Sequence, residues 1–368
     1  MTHKLFFIRP TMGQGGADRV TLTLLKMLDR RQFHPTLVLL RREGEFLDDI
    51  PTDVPIYDFG VPDVSLAWPQ ATRLLHQHRP DIILSTSSGT NVLVCLAHYL
   101  SRQKSRLVLS ERNIVFHGEY TLKRRLMVWL KRLFYGRADL ITAISQCLKE
   151  DLVEKLGLPA DQIFVVYNPV VDDEILLQAT EPLDHPWFQE GIPVILGTGR
   201  LVKQKDFPTL IRAFQYVRQQ RPCRLLILGE GSQRPELETL VQTLGLGTDV
   251  ELPGFDKNPF KYMARCAVFV QTPIHEGLGN VLIQAMACGA PVISTNCPCG
   301  PSEIIQTDGE DGFLVPVGDA QAIAGKILYL LDHPEKREAM AACGRQSAER
   351  FRAETILARY VAAIEGTI

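Results

Sequence analysis

Short, wholly apolar runs recur along this chain, and each is followed by a stretch with helical spacing. In the first half they lie in KLFFIRP, PTLVLLRR, VPIYDF, DIILSTS, RLVLSER, LITAISQ and IFVVYNPV. In the second half they lie in PVILGTGRL, RLLILGEG, VELPGF, AVFVQT and PVISTN. Continuous apolar runs, unlike alternating ones, belong to strands covered on both faces, and therefore to parallel sheets flanked by helices. The pattern predicts an α/β chain of two doubly wound, Rossmann-like units. It is weakest between Asp172 and Gly191, where Pro182 and Pro186 stand among charges. The join is placed there, giving a first domain over 1–175 and a second over 176–352. A last helical pattern, Ala353 to Ile364, follows within 353–368.

Ligands of such sheets gather at the carboxyl ends of the strands, so the loops after strands matter most. Gly13, Gly15 and Gly16 follow the first strand, and Asp18 precedes a helical pattern from Val20 to Leu28. Glycines there let backbone approach a ligand and point N–H groups at an anion, although an ordinary turn would also use them. Arg200 and Lys205 follow a buried strand and precede a helix that Pro208 opens. Two such cations can clamp a diphosphate, or can simply be solvated. Gly229 and Gly231 flank Glu230 in a turn after another strand. Gly254 and Phe255 can pack on a base, or anchor their loop. The loop SERNIVFHGEY groups Glu111, Arg112, Asn113 and His117.

The richest stretch is PIHEGLGNVLIQAMACGAPVISTN, residues 273–296. Glu276 stands beside Gly277 and Gly279. A short helix runs from Asn280 to Cys288 and stops at Gly289, and Pro291 opens a buried run. A helix that starts on glycines leaves the N–H groups of its first turn, around Asn280 and Val281, open to an anion. A carboxylate at its mouth can accept hydrogen bonds from a polyol. Phosphate donors beside such a carboxylate suggest a nucleotide-sugar site.

Composition narrows the field. Among 368 residues, 45% are hydrophobic and 22% charged, which excludes a disordered chain. A formal charge of −2 argues against binding nucleic acid through bulk charge. The eight cysteines are scattered with no CxxC pair, as in a protein of a reducing compartment. No Asp-x-Asp pair of the metal-chelating kind occurs. No apolar stretch approaches the roughly 20 residues that span a bilayer, and the N-terminal LFFI is too short for a signal core. Residues 121–137 are different. Leu122, Leu126, Trp129, Leu130 and Leu133 share one helical face, among Lys123, Arg124, Arg125, Lys131, Arg132 and Arg137. Such a helix either lies on an anionic membrane surface or packs in a core with a solvated basic side.

The 273–296 stretch resembles glycosyltransferase family 4, whose members have the GT-B fold and retain anomeric configuration. That family carries Glu, seven residues, then Glu, an Ala-Met-Ala-Cys-Gly-type helix end and Pro-Val-Ile. Glu276 holds the first position here, and Gln284 replaces the second carboxylate. The family's Gly-Gly-x-Glu/Asp-Arg pattern matches Gly15, Gly16, Asp18 and Arg19, and its Arg-x4-Lys signature matches Arg200 and Lys205. The resemblance implies the following. The activity would be a metal-independent transfer from a nucleotide diphosphate sugar, a UDP-sugar, to a glycan or lipid-linked acceptor of a surface polysaccharide. Gly15 and Gly16 would lie beside the donor diphosphate, Gly229 would line the nucleotide site, Gln284 would face the ribose and His117 the donor sugar. Residues 353–368 would pack back on the first domain. The protein would be cytoplasmic, with peripheral contact to the inner membrane through 121–137. Two alternatives remain open: a nucleotide-sugar-binding subunit with little catalysis, and a GT-B nucleotide-sugar epimerase.

Overall fold

The computed structural model describes residues 2–13, 15–115 and 121–366, except the side chain of Lys123. It forms two compact units. One runs to Pro169 and takes the chain back from Ala353; the other is Val170–Arg352.

The first unit is a parallel sheet of β1 (His3–Arg9), β2 (Phe33–Leu39), β3 (Ile56–Asp58), β4 (Ile82–Ser85), β5 (Arg106–Glu111), β6 (Leu140–Ala143) and β7 (Ile163–Val165). Their spatial order is β3-β2-β1-β4-β5-β6-β7. All seven coincide with apolar runs read from the sequence, β1 starting one residue and β2 two residues before its run. The order reverses between β1 and β4, where a doubly wound sheet offers a ligand its crevice. Leu5 and Phe7 of β1 pack with Val20 and Leu24 of the helix Gly16–Met27. Ile356, Tyr360 and Ala363 of the helix Ala353–Glu365 join the same core, which is why the chain's end belongs to this unit.

The second unit is also parallel, with β8 (Val194–Thr198), β9 (Arg224–Leu228), β10 (Val250–Gly254), β11 (Val268–Gln271), β12 (Val292–Thr295) and β13 (Phe313–Val315). The order is β10-β9-β8-β11-β12-β13, with its reversal between β8 and β11. β13 lies outside the runs read from the sequence. It is a three-residue edge strand between Gly312 and Pro316, and the proline cuts its apolar run short.

The division at Pro169 comes ahead of the boundary expected at 175. The proline-rich stretch read as a join is built into the second unit. The Asp172 carboxylate accepts from the backbone N–H of Ile175 (2.8 Å) and starts the helix Asp173–Thr180. At the other end of that helix the Gln178 and Ala179 carbonyls accept from Asn258 (2.9 Å) and Arg265 (3.1 Å).

Of the two orientations left open for the basic helix Leu122–Tyr135, the structure has the one with the apolar face outward. Leu122, Leu126, Trp129 and Leu133 are 83, 54, 57 and 46% exposed, so they are no part of a core. Lys131, read above as one of the solvated cations, is 2% exposed. Its Nζ lies 2.8 Å from Glu111 Oε2, which also accepts from the Tyr135 hydroxyl at 2.7 Å.

Candidate functional site

In the second unit the site is built where β8 and β11 end. After β8 the chain turns through Gly199 at φ +156°, then Arg200, and closes a tight turn at Lys203–Lys205. Asp206 follows in the left-handed region and opens the helix Phe207–Arg218. The end of β11 clamps this turn. The Thr272 hydroxyl meets the carbonyl oxygens of Lys205 (3.0 Å) and Asp206 (2.9 Å). Gln204 is held twice, through Ile274 N–H to its carbonyl (2.8 Å) and its own amide to the His275 carbonyl (2.9 Å).

This clamp sets Lys205 against Glu276. The ammonium and the carboxylate form an ion pair, with side chains 17 and 9% exposed. Glu276 is fixed from behind, its N–H donating to the Pro298 carbonyl at 3.2 Å. Beside it burial pushes the Cys297 thiol up to about 12, and the charge of Glu276 adds to the effect. Arg200, on the same loop as Lys205, is exposed and pairs with no carboxylate among the described residues.

Gly277 is buried, and Gly279 at φ +106° starts the helix Asn280–Ala287 with no side-chain cap. Asn280 and Val281 form its first turn, where N–H groups have no acceptor within the helix. Gln284 is 7% exposed one turn further on, four residues after Asn280 and so on the same face. Its amide makes no hydrogen bond among the described residues.

The neighbouring strand ends are packed backbone to backbone. A Cβ on Gly229 would meet the Gly199 carbonyl oxygen at 1.9 Å, and one on Gly231 the Leu201 carbonyl oxygen at 2.3 Å. Gly229 N–H donates to the carbonyl of Gly254 (2.7 Å), itself at φ +104°. Glycine at these positions is thus demanded by packing, whatever else it does. The Arg234 guanidinium holds Glu230 below its usual range through two hydrogen bonds. Phe255 is half-buried beside this edge.

The first unit presents its own strand-end loop. Gly15 starts the helix Gly16–Met27, and its N–H donates to Asp18 Oδ2 at 3.0 Å. The other oxygen of Asp18 pairs with Arg9 at the end of β1. His117 lies outside the described residues. The structure therefore brings Lys205, Glu276, Gly277, Gly279, Asn280, Val281 and Gln284 together, with Arg200, Gly229, Gly254 and Phe255 on adjoining loops. Gly15 and Gly16 stand on the other unit. Sequence reasoning missed the anchors Thr272 and Gln204, and also Arg9, whose place at the end of the first strand was its one signal. No group of three or more His, Cys, Asp or Glu that could hold a metal occurs among the described residues.

Known proteins fix the class. Residues 14–174 match the Glycosyltransferase Family 4 model, and residues 184–347 the Glycosyl transferases group 1 model. The chain is 31% identical to the N-acetylgalactosamine-N,N'-diacetylbacillosaminyl-diphospho-undecaprenol 4-alpha-N-acetylgalactosaminyltransferase of Campylobacter jejuni, over 93% of both chains. It is 34% identical to the lipopolysaccharide core biosynthesis glycosyltransferase LpsE of Rhizobium meliloti, over 94% of this chain and 95% of that one. Among solved structures, Anabaena HepE in complex with UDP and glucose superposes with a TM-score of 0.81 at 22% identity, covering 99% of both chains. The fold is of the GT-B class, and the chain belongs to glycosyltransferase family 4, with the group 1 transferase domain as its second half. It is a glycosyltransferase.

Proposed function

We propose that this transferase moves a sugar, with retention and without a metal, from a UDP-sugar to a lipid-linked or glycan acceptor in surface polysaccharide assembly. One observation carries the donor side: the ion pair of Lys205 and Glu276 at the sheet edge, next to a helix that begins uncapped on Gly279. Both groups are held by the backbone clamp and neutralise one another until a ligand arrives. A diphosphate offers Lys205 more negative charge than one carboxylate does. It also suits the fork of Arg200 and the positive end of the helix dipole. Once Lys205 turns to phosphate, Glu276 has free lone pairs for sugar hydroxyls. The same cations then stabilise the charge that develops on the leaving UDP, which is usually the dominant source of rate enhancement in such catalysis. The family resemblance supports retention, by attack from the leaving group's face with the leaving phosphate taking the acceptor proton. UDP as the nucleotide, and a lipid-linked acceptor, are supported by what the similar proteins are named for binding and using.

The acceptor side favours a membrane surface on the cytoplasmic side. The helix Leu122–Tyr135 turns an apolar ridge outward while Arg124, Arg125 and Arg132 stay exposed around it. A ridge with no covering segment among the described residues, rimmed by cations, fits the interface of an anionic bilayer. No helix among the described residues is long and apolar enough to cross one.

A thermal-shift panel of nucleotide sugars tests the donor assignment. A ligand at 100 times its Kd adds about 2.7 kcal/mol of stability. UDP-sugars should raise the melting temperature and GDP-sugars should not. The opposite order would overturn the choice of nucleotide.

A further inference from the structure

The first unit buries more positive charge than it needs. Arg9 ends β1 and Arg112 follows β5, so the two flank the end of β4 at the sheet's reversal point. They are 3 and 5% exposed. Arg9 donates to Thr21, Thr86 and the Ala17 carbonyl, and pairs with Asp18. Among the described residues the Arg112 guanidinium has one partner, Asn168 Oδ1 at 3.1 Å. Arg112 Nε and Nη2, and Arg9 Nε, are buried with no hydrogen-bond partner among the described residues.

Nearby carboxylates do not answer this need. Asp18 serves Arg9 and the Gly15 N–H. Glu111 accepts from Lys131, Tyr135, Ser88 and the Arg112 N–H, so Lys131 already neutralises it. Two guanidiniums and one unshared carboxylate leave a surplus of positive charge. The environment reports the strain: burial, with the neighbouring charge of Arg112 adding to it, pushes Arg9 down to about 10 despite its pairing with Asp18. Beyond Thr86, the 14-residue helix Ser88–Ser101 begins at Ser87, whose hydroxyl caps nothing, so its positive dipole end faces the same corner. A buried unpaired donor is costly, and in native proteins such a donor is commonly completed by an ordered water, an ion or a ligand.

We propose that Arg9 and Arg112 form a phosphate site in the first unit that receives the phosphate group of the acceptor. A forked guanidinium matches phosphate oxygens bidentately, and two of them with a helix start suit a dianion better than a sugar hydroxyl. The anion site stands on the geometry alone, and its assignment to the acceptor rests on the transferase reading.

The test has two arms. In the first, calorimetry measures inorganic pyrophosphate binding in the presence of saturating UDP, which fills the donor's phosphate site. The wild type should bind one pyrophosphate. Arg112→Met should bind at least about tenfold more weakly, and Arg112→Lys should fall between the two. No binding by the wild type, binding abolished by UDP, or equal binding by a folded Arg112→Met would overturn the site. If Arg112→Met does not fold, the wild type and Arg112→Lys decide alone, with equal affinities counting against it. In the second arm, transfer is measured to a sugar on a short prenyl diphosphate and to the same sugar on a neutral alkyl chain. The diphosphate acceptor should have the lower KM, and Arg112→Lys should erode that preference through KM more than kcat. Equal KM values with brisk turnover would overturn the acceptor assignment and leave the transferase intact. No turnover with any donor would instead count against the transferase reading, while the first arm still judges the anion site.

Discussion

At the scale of single residues, the ion pair of Lys205 with Glu276 is the most informative contact. The sequence supplied both residues but not their meeting, which depends on Thr272 and Gln204 clamping two loops far apart in the chain. Those anchors are a threonine and a glutamine like any other until the sheet places them. Lys205→Ala should lower kcat by about 10²–10³, the usual cost of losing one group that stabilises the transition state. Steady-state kinetics on a variant with unchanged melting would check it, and near-normal turnover would remove Lys205 from the chemistry. Gln284 offers a milder test. A hydrogen bond to a charged group contributes about 1.5–3 kcal/mol, against about 0.5–1.5 for a neutral one. Gln284→Glu should therefore tighten UDP-sugar binding severalfold if the residue faces the ribose. Weaker binding by calorimetry would place it elsewhere.

At the scale of elements, twelve of thirteen strands were legible, because a strand buried on both faces writes itself as a continuous apolar run. The exception, β13, lies in a run that Pro316 cuts short, although β3 and β7 are no longer than it is. The helix Leu122–Tyr135 was legible as amphipathic but not in its orientation. Its buried face holds Lys131 and Tyr135, which Glu111 chiefly makes tolerable, with Ser88 and Asn91 as further partners. Removing one partner of a buried pair costs about 3–5 kcal/mol, so Lys131→Met should lose that much in urea unfolding. Adding Glu111→Gln should restore part of it. Burial alone would raise Glu111, but Lys131, Ser88 and Tyr135 together hold it below the ordinary glutamate value of 4.5. Its contribution is therefore full above that value and is lost as pH falls through the lower folded one, so Glu111→Gln should flatten the acid limb of the stability curve. The glycines of the strand-end loops are equally exacting. At Gly229, φ is +139° and a Cβ would overlap a carbonyl, so Gly229→Ala should cost about 2–4 kcal/mol.

At the scale of the whole molecule, two parallel sheets were readable from period and order and the chain's return to its first unit only through the family resemblance, whereas the join was not. A proline-rich, weakly patterned stretch looks like a linker, yet Asp172 caps a helix there that the second unit claims. The outward ridge of the basic helix is the basis of the proposed membrane contact. Flotation with anionic liposomes should carry the wild type at low salt and release it as salt rises, since exposed charges are screened within about 10 Å at 0.1 M. Trp129→Glu should abolish flotation while leaving transfer to a soluble acceptor in place. Equal flotation of both would return the helix to a role in folding alone.

The measurement that bears most directly on the whole account is proton NMR of the product formed from an α-linked UDP-sugar and a synthetic acceptor. The account predicts turnover by the wild type, a new linkage of the same α configuration, and its loss in Glu276→Ala, which should still bind UDP. A β-linked product would contradict retention. A wild type that binds UDP-sugars but neither transfers nor hydrolyses them would contradict the catalytic role assigned to Lys205 and Glu276.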